Sequence, residues 1–534
     1  MSLAALAAGA AMAAGLAQPH VSVAGDAPKG GTLRIGSHVD VDSVDPALGY
    51  RMTSGLIADA TCARLFHYGA APGATGARVL PEVVRSFSVS RDRRTYSFRL
   101  RETFRFHTGA RVTAQSFADA FNRDADPRLP SAAAKAFMRE IVGADAVIEG
   151  KAESISGIRV LGRFRLQIQL TKRTEDLTAR LTLASFCPIL PNTAVDPTGI
   201  DDPAGSGPYY VAERIANQRV VLRRNPYYRG SRPANVDEMV WTIGGTLRDC
   251  QRAVEEDRLD FCSEGSAPRA AWRELAERYG VNRPGGQVFV GPSHGTWYFA
   301  FNHSRPAFNG PGQIPLKKAI NFAIDRPELA RTLGFLAVKR TDQMLPPALA
   351  QAESVYPLGG AEVRTARRWY AKARLKPSRL VLYTWSGPPQ VAMAEVLAFN
   401  LRQLGIDLEV KYFDLLTVFQ KTTTPGEPFD IVLGGWVADY PDPWGFFGSL
   451  LDPRVGRLRM TVDPRVLRRM GEANRLPRAA RSRALAEIDI DLMRNDPPWA
   501  PFAHHQNLML VSRSVGCFRP TSTFGIEITA LCKK

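Results

Sequence analysis

The sequence predicts a mixed α/β protein built from several lobes, and three observations carry this prediction. The chain has 534 residues, which is enough for two or three lobes that each bury a core. Apolar residues make up 45% of it and charged residues 23%, as is typical of globular proteins. From about residue 380 to about residue 435, the hydrophobic pattern gives strand–helix–strand–helix–strand.

The first residues of the chain are almost wholly small and apolar. Residues 2–17 are too short for a membrane span and suit the hydrophobic region of a secretory signal. Gly15-Leu16-Ala17 before Gln18 fits a small-x-small cleavage site. A basic region is missing before this segment, so the true start could lie upstream, and no Cys follows to support a lipid anchor. We expect residues 1–17 to be signal-peptide-like and the protein to be periplasmic or envelope-associated; the alternative is a disordered Ala-rich N-terminus.

The formal charge of +17 allows a nucleic acid, an anionic envelope surface or an acidic ligand as partner. The arginines are scattered, however, and many alternate with apolar residues in strand-like stretches, which is typical of solvated faces. We therefore expect no nucleic-acid partner. The arginines that show this most clearly are Arg91, Arg93, Arg94, Arg99, Arg101 and Arg105.

Six cysteines are present, and none belongs to a CxxC motif or a Cys/His cluster. An exported protein permits disulfides, for which 15 full pairings are possible. The most local pairing is Cys250 with Cys262, and a bond between Cys517 and Cys532 would fix the C-terminal tail.

The first part of the chain shows three strands and two helices. Thr32–Ile35 is a short strand, and Ser54–Phe66 has the apolar face of a helix. Tyr96–Leu100 alternates as a half-buried strand, which Phe104–Gly109 is predicted to continue into a turn. Thr113 then caps a helix. A further alternating strand covers residues 164–170.

The middle of the chain is richer in strands. A glycine turn opens a strand at Tyr209–Val211, and it lacks the GK[ST] ending of a phosphate loop. A second strand is Val220–Leu222. A helix over residues 249–257 precedes the strand Leu259–Cys262, and the apolar run Thr296–Asn302 reads as a crossover strand between lobes.

The second half alternates helices and strands, as in a mixed α/β lobe. Asp325 and Glu328 have capping-box spacing at the start of one helix. The predicted elements are a helix over 316–324, a long amphipathic helix over 393–404, a strand over 406–412, the strand that begins at Phe429, a helix over 481–493 and a strand over 508–511.

The stretch Phe429–Leu451 is the most informative part of the chain. Its first residues, Phe429–Leu433, form an apolar run typical of a buried strand, and Gly434 and Gly435 are predicted to end it. Two glycines permit a close backbone approach or a turn with positive φ. Asp439 follows among several aromatic rings, and a carboxylate in such surroundings suits a ligand cation. The alternative is a strand end whose Asp caps the next helix beside an aromatic core.

No familiar catalytic fingerprint occurs in the sequence. Asp439 and Asp442 could in principle form an acid/base pair, but no His or Lys accompanies them. The tandem His504-His505 would point to opposite faces of a strand, which does not favour a metal site. We predict a protein that is not an enzyme and that holds no cofactor and no metal.

Several segments follow one another in a recognisable order: Lys29–Ile35 (KGGTLRI) with Val44-Asp45-Pro46, Tyr96–Asn122, Gly205–Tyr209, Val221–Tyr228, Phe301–Arg326 and Gly435–Pro443. Through these segments the chain resembles the family 5 extracellular solute-binding proteins of peptide ABC transporters, the oligopeptide- and dipeptide-binding group. The resemblance covers nearly the whole chain beyond the signal-like segment.

This resemblance implies a bilobal periplasmic-binding-protein fold, of type II and of the large peptide-binding cluster, with an extra subdomain in a discontinuous first lobe. The expected limits are residues 28–65, 200–288 and 506–534 for the first lobe, 66–199 for the subdomain and 289–505 for the second lobe.

The resemblance also implies a binding site between the lobes. Peptide binders of this family hold an extended peptide through backbone hydrogen bonds, and the Asp of a W-x-x-D segment pairs with its α-ammonium. That role falls on Asp439, with Trp436 as a wall of the pocket and the loop Gly49–Ser54 as a source of backbone partners. The expected ligand contacts are Asp439, Trp436, Gly435, Tyr440, Tyr50, Arg51, Met52, Trp385 and Tyr298, of which the last two suit the core equally well.

The leading hypothesis is a monomeric receptor that binds short peptides and delivers them to a membrane permease. The sequence departs from the family pattern within residues 360–377, where acidic character is reduced, and Leu433 is apolar. A charge that could meet a peptide's terminal carboxylate is not evident, so ligand length stays open. The family fold also carries nickel, haem, glutathione and oligosaccharides. A ligand sensor and a hydrolase using Asp439 and Asp442 are the further alternatives.

Overall fold

A computed structural model describes residues 27–71, 73–350, 353–451 and 463–534. The signal-like segment predicted at residues 1–17 lies outside these ranges. Within them, no helix has both the length and the apolar character that crossing a membrane requires.

Strands are distributed along the whole described chain and vary from two to fourteen residues. They are β1 Thr32–Ser37, β2 Phe66–Tyr68, β3 Val79–Pro81, β4 Val84–Val89, β5 Thr95–Leu100, β6 Ile158–Gly162, β7 Arg165–Gln169, β8 Tyr209–Ile215, β9 Arg219–Arg224, β10 Glu238–Ile243, β11 Phe261–Cys262, β12 Val288–Phe301, β13 Val338–Arg340, β14 Arg379–Trp385, β15 Asp407–Phe413, β16 Ile431–Val437, β17 Trp499–Leu510, β18 Val515–Gly516 and β19 Cys532–Lys533.

Helices separate many of these strands. They are α1 Met52–Thr61, α2 Gly73–Gly76, α3 Ala114–Ala125, α4 Ala132–Met138, α5 Ala144–Ile148, α6 Leu177–Arg180, α7 Leu247–Glu255, α8 Trp272–Tyr279, α9 Ile314–Ala323, α10 Arg326–Leu333, α11 Val363–Ala371, α12 Pro388–Arg402, α13 Leu415–Thr423, α14 Trp444–Leu451, α15 Pro464–Ala473 and α16 Arg478–Asn495, with short 3-10 turns at Ala184–Phe186, Arg269–Ala271, Pro311–Gln313 and Ile528–Ala530.

Three large sheets organise the described chain, and two further sheets, β2-β3 and β18-β19, have two strands each. A five-stranded sheet has the order β11-β1-β10-β9-β8, a six-stranded sheet the order β13-β17-β12-β16-β14-β15, and a four-stranded sheet the order β4-β5-β7-β6. We call the bodies built around them the first lobe, the second lobe and the subdomain, respectively. The mixed α/β class predicted from the sequence is confirmed.

Each of these bodies buries its own apolar core. Trp241 lies in the core of the first lobe and Phe117 in that of the subdomain, and both are inaccessible to solvent. In the second lobe Leu397 and Leu433 pack from a helix and a strand onto the same cluster. Separate cores allow the bodies to move as units, since an apolar core resists deformation more than an interface does.

Local signals in the sequence predicted two helix starts correctly. The Ser116 backbone N–H donates to Thr113 Oγ1 at 3.4 Å, which is the expected cap of α3. The Glu328 N–H donates to Asp325 Oδ1 at 2.9 Å at the start of α10. Both predicted caps are confirmed, because each satisfies a backbone donor that the first helical turn leaves free.

Several predicted elements differ in extent from the observed ones; the strands predicted over 296–302 and 508–511, for example, are parts of β12 and β17. The helix expected over Ser54–Phe66 ends at Thr61, because Cys62 adopts an extended conformation. The strand expected to continue through Phe104–Gly109 is instead a loop with one isolated bridge between Arg105 and Arg111. Its alternation has another cause, since two of its aromatic side chains are anchored in the subdomain core.

The structure contains three disulfides. Cys250–Cys262 and Cys517–Cys532 are the two pairings singled out from the sequence, and both are present. The third bond, Cys62–Cys187, joins the end of α1 in the first lobe to the segment after Ala184–Phe186 in the subdomain.

The long strands β12 and β17 connect the two lobes. Val288 and Leu510 pack beside Cys250 in the first lobe, whereas the other halves of these strands belong to the core of the second lobe. Between the halves, the antiparallel register shifts from Pro292 to Thr296. A bulge at this point bends paired strands, so it is a natural place for lobes to rotate relative to each other.

Candidate ligand-binding site

A cleft with a cavity volume of about 370 Å³ lies where the two lobes and the subdomain meet. This volume falls within the range of small-ligand sites. The residues that line the cleft come from distant parts of the chain: 49–52, Gly55, Asp59 and Arg64, then Tyr68, Gly69, Gly76, Phe137 and 182–185, then His294, 437–439 and Pro441, and finally 521–524, Ile526 and Glu527.

Asp439 lies on the second-lobe wall of this cleft, two residues beyond the end of β16. The Tyr50 hydroxyl of the first lobe donates to Asp439 Oδ1 at 2.8 Å. A half-buried carboxylate therefore faces the opposite lobe across the cleft. It is positioned to bind a group that both lobes enclose.

The loop before α1 forms the facing wall. Tyr50, Arg51 and Met52 all line the cleft, and the exposed fractions of Tyr50 and Met52 are 60% and 42%. The backbone N–H groups of Tyr50 and Arg51 donate to Asp42 Oδ2 at 2.8 and 3.0 Å. These two donors are thus used inside the first lobe, which fixes the loop and leaves its side chains facing the cleft.

The role of the paired glycines differs from the role predicted from the sequence. Gly434 and Gly435 were expected to end the strand, yet β16 continues to Val437. Neither glycine has positive φ. A Cβ at Gly434 would lie 2.7 Å from the Tyr298 ring, and one at Gly435 would lie 3.0 Å from the Trp297 ring. The glycines therefore admit aromatic rings from β12, and the strand carries the chain on to Asp439.

Replacing Gly434 with Ala should lower the free energy of unfolding by about 1–3 kcal/mol, because the Tyr298 ring must move out of a packed position. Gly291 lies in β12 with open space at its Cβ, so Gly291→Ala is the matched control and should be nearly neutral. Urea unfolding of both variants measures the difference. Equal stability of the two would contradict the packing role of Gly434.

The other five expected contacts, four aromatic residues and Gly435, are not part of the cleft lining. Trp436 is buried in the second-lobe core, and its Nε1 donates to the Gly445 carbonyl at 3.1 Å. Tyr440 is buried, and its hydroxyl donates to Asp176 Oδ2 at 2.7 Å. Tyr298 is buried, and Trp385 is half-buried against the Trp297 ring at 5.9 Å between centroids. The structure thus brings Asp439 together with Tyr50–Met52, whereas these aromatic side chains, and Gly435, build the support behind Asp439.

Tyr440 and its surroundings hold the second lobe against the subdomain. The Asn474 Nδ2 donates to Thr174 Oγ1 at 3.1 Å, and Arg478 donates to the carbonyls of Ala77 and Pro441. These contacts join the bodies on one side of the cleft, so the arrangement described is a closed one.

Asp442 does not share the environment of Asp439. It is fully buried and paired with Arg481, and its Oδ1 accepts the Trp444 N–H at 3.0 Å. Asp442 therefore caps α14 and holds an ion pair, and it offers no partner for acid/base work with Asp439. The helix cap considered as an alternative for Asp439 is provided by Asp442.

The tandem histidines have structural contacts. His504 Nδ1 lies 2.9 Å from Thr296 Oγ1, and the His505 ring stacks on Trp297 at 5.1 Å between centroids. Burial lowers the pKa of His504 to about 3 and that of His505 to about 4, so both rings are neutral at pH 7.

The sequence did not indicate Asp59, Arg64, His294 and Glu527, all of which line the cleft. These residues lie far from Asp439 in the sequence, and no local pattern distinguishes them from other charged or polar residues. The sequence does set one of them apart, because Glu527 is the only acidic residue after Asp496. Burial lowers the pKa of His294 to about 3, which makes it a neutral polar group beside Asp439.

Comparison with known proteins gives consistent results. The family model described as "Bacterial extracellular solute-binding proteins, family 5 Middle" matches residues 78–456. The periplasmic oligopeptide-binding protein OppA of Escherichia coli (strain K12) is 23% identical over 453 residues, which cover 82% of this chain and 81% of that protein.

Two solved structures extend the comparison to the fold. The clavulanic acid biosynthesis oligopeptide binding protein 2 matches with a TM-score of 0.85 and 23% identity, over 95% of this chain and 96% of that one. Haemophilus influenzae OppA in complex with RPPGFSPFR matches with a TM-score of 0.71 and 18% identity, over 95% and 99% of the two chains. The predicted bilobal architecture with a subdomain is confirmed.

Proposed function

Because the chain belongs to the bacterial extracellular solute-binding proteins of family 5, we propose that it is the substrate-binding component of a peptide ABC transporter. In this role it captures short peptides outside the membrane and delivers them to a permease. No bond is made or broken. The names of its relatives support this function, since they are oligopeptide- and dipeptide-binding proteins.

The observation that carries the proposal is the position of Asp439. Its carboxylate lies in a cleft between lobes and faces Tyr50 of the opposite lobe at 2.8 Å. A peptide's α-ammonium is a cation with three donors, which suits a carboxylate removed from bulk water. The Tyr50 hydroxyl meets Asp439 in this arrangement, and a bound ammonium would share or replace that contact.

Binding would favour the closed state, because the peptide has a higher affinity for the closed form than for the open form. A peptide touching Asp439 and the loop at Tyr50–Met52 gains its full set of contacts only in the closed state. The paired strands β12 and β17, with their bulge, supply the hinge for this motion. The permease would then recognise the closed form.

The remaining assignments follow from the same proposal. The protein acts as an exported monomer, in the periplasm or at the cell envelope, and has no catalytic role. We propose lobe limits at residues 288/289 and 505/506, a few residues from the register shift between Pro292 and Thr296 where β12 and β17 pass from one core to the other. The subdomain then spans residues 66–199, and the first lobe consists of residues 28–65, 200–288 and 506–534.

Native mass spectrometry of the protein as purified from its own cells tests this function. A mixed series of bound masses that fragment into short peptides is the expected result and gives their length range. A single discrete non-peptide mass, such as a metal, haem or an oligosaccharide, would contradict the peptide assignment while leaving the fold intact.

A further inference from the structure

The cleft lining lacks the large positive excess that the whole chain carries. The chain carries +17, yet the charged residues that line the cleft are three carboxylic acids, Asp59, Asp439 and Glu527, and two arginines, Arg51 and Arg64. The exposed surface is therefore strongly basic, whereas the binding site is not. Such a contrast within one molecule indicates a ligand selected by charge.

The first-lobe wall of the cleft holds a buried cluster in which the arginines are already paired. Arg64 forms an ion pair with Asp59. Arg232 Nε donates to Glu82 Oε1 at 2.7 Å and lies 3.8 Å from Asp59 Oδ2 through its Nη1. Two guanidinium charges thus balance Asp59 and Glu82.

Glu527 gives this cluster a third carboxyl group, although the cluster has only two guanidinium groups, those of Arg64 and Arg232. Its side chain lines the cleft, and the residue is 8% exposed. The Thr529 hydroxyl donates to its Oε1 at 2.6 Å, and within the described ranges no ion pair involves it. Burial, together with the neighbouring Asp59 charge, raises the pKa of Glu527 to about 7. A buried carboxyl group whose neighbouring guanidinium groups are already shared with other carboxylates is costly to ionise unless a further cation binds.

We propose that Glu527, with Asp59 beside it, binds a basic side chain of the ligand, so that the peptides this protein selects carry Lys, Arg or ornithine. This inference rests on the proposed function and specifies its substrate class. The peptide's α-ammonium pairs with Asp439 on the second lobe, and its basic side chain pairs with Glu527 on the first. The ligand cation then completes the cluster with three positive charges against three carboxylates.

An anionic ligand group is the competing occupant of this wall. Arg64 Nε is buried there without a hydrogen-bond partner, so a carboxylate could approach it. A bound carboxylate would bring the cluster to four negative charges against two arginines. A bound cation would instead give three charges of each sign. The charge count therefore favours the basic side chain.

The test compares matched tripeptides by isothermal titration calorimetry with the full-length exported chain, freed of bound ligand by dialysis. Ala-Arg-Ala and Ala-citrulline-Ala have the same shape and differ in charge, and Ala-Glu-Ala probes the anionic alternative. We expect the Arg peptide to bind at least tenfold more tightly than the citrulline peptide. Glu527→Gln should remove most of this preference and leave the affinity for the citrulline peptide within about threefold.

Glu277→Gln makes the same charge change at an exposed position of α8 outside the cleft lining and should keep the preference of the wild type. Equal binding of the Arg and citrulline peptides, a preference that survives Glu527→Gln, or tighter binding of Ala-Glu-Ala would overturn the inference alone. Failure of every peptide to bind would overturn the proposed function and this inference with it.

The preference should also depend on pH. The charged and titratable groups around Glu527 are Asp59, Arg64, Arg232 and, beyond Asp59, His67. Glu527 is mostly protonated below its raised pKa and ionised above it, so the preference for Arg over citrulline should be larger at pH 8 than at pH 5.5. The α-amino groups of the two peptides titrate alike, so the ratio of the two affinities cancels their contribution. A ratio that does not change with pH in the wild type would contradict the role of Glu527.

Discussion

Asp439→Asn is expected to lower the affinity for peptides with a free α-amino group by about 1.5–3 kcal/mol, or roughly ten- to hundredfold. The amide keeps the size of the side chain and removes its charge, so the ammonium loses a charge-assisted hydrogen bond. Titration calorimetry of one peptide, free and N-acetylated, measures the effect. The wild type should prefer the free peptide, and the variant should bind the two forms almost equally.

Two controls separate a ligand contact from a change in the protein. Tyr50→Phe removes the cross-cleft hydrogen bond to Asp439 but keeps the carboxylate, so it should retain the preference for the free amine. Asp202→Asn makes the same chemical change on an exposed loop and should have no effect. If Asp439→Asn weakens both peptide forms equally, the carboxylate acts on the fold or on closure and does not pair with the ammonium.

Arg326→Met should lower the free energy of unfolding by about 3–5 kcal/mol, although this residue is not part of the cleft lining. Its guanidinium is fully buried and donates five hydrogen bonds to acceptors in four separate segments of the second lobe. Burial lowers the pKa of Arg326 only to about 10, so it stays charged at pH 7. Methionine fills similar space but leaves these carbonyls, and the nearby buried Asp342, without a donor or a cation.

Arg331 lies on the same helix and supplies the matched control. It is exposed, and within the described residues its ion pair is with Glu328 one turn away, so Arg331→Met should cost less than about 1 kcal/mol. Guanidinium chloride unfolding of both variants, monitored by tryptophan fluorescence, measures the difference. A loss below 1 kcal/mol for Arg326→Met would show that the bonds of this arginine are replaced by water or by relaxation of the lobe.

Local periodicity predicted the elements of this fold because it reports which face of a segment is buried. Tyr96, Phe98 and Leu100 alternate in the sequence and all point into the subdomain core. The same logic was wrong at Gly434 and Gly435. Glycine often ends a strand, but here it continues one, and the reason is the pair of rings at Trp297 and Tyr298 on a neighbouring strand distant in sequence.

The binding site was predictable only where one segment carries the signal. Asp439 could be singled out because its aromatic neighbours are adjacent in the chain. The run of aromatic residues did not indicate which side chains face the cleft, and Trp436 and Tyr440 lie in packed surroundings. Asp59 and Glu527 come together only through the path of the chain, so no local pattern could associate them.

The path of the chain also determines when each lobe can be completed. The last described strands and turns are internal parts of both lobes: β17 lies between β12 and β13, and Ile528 and Leu531 pack with Leu33 in one core. During synthesis, neither lobe can therefore close its core until residues beyond 500 have emerged. Pairings of such long sequence separation form slowly. Both lobes are therefore completed late and together, and for the exported protein proposed above this order would delay folding until the chain is nearly complete.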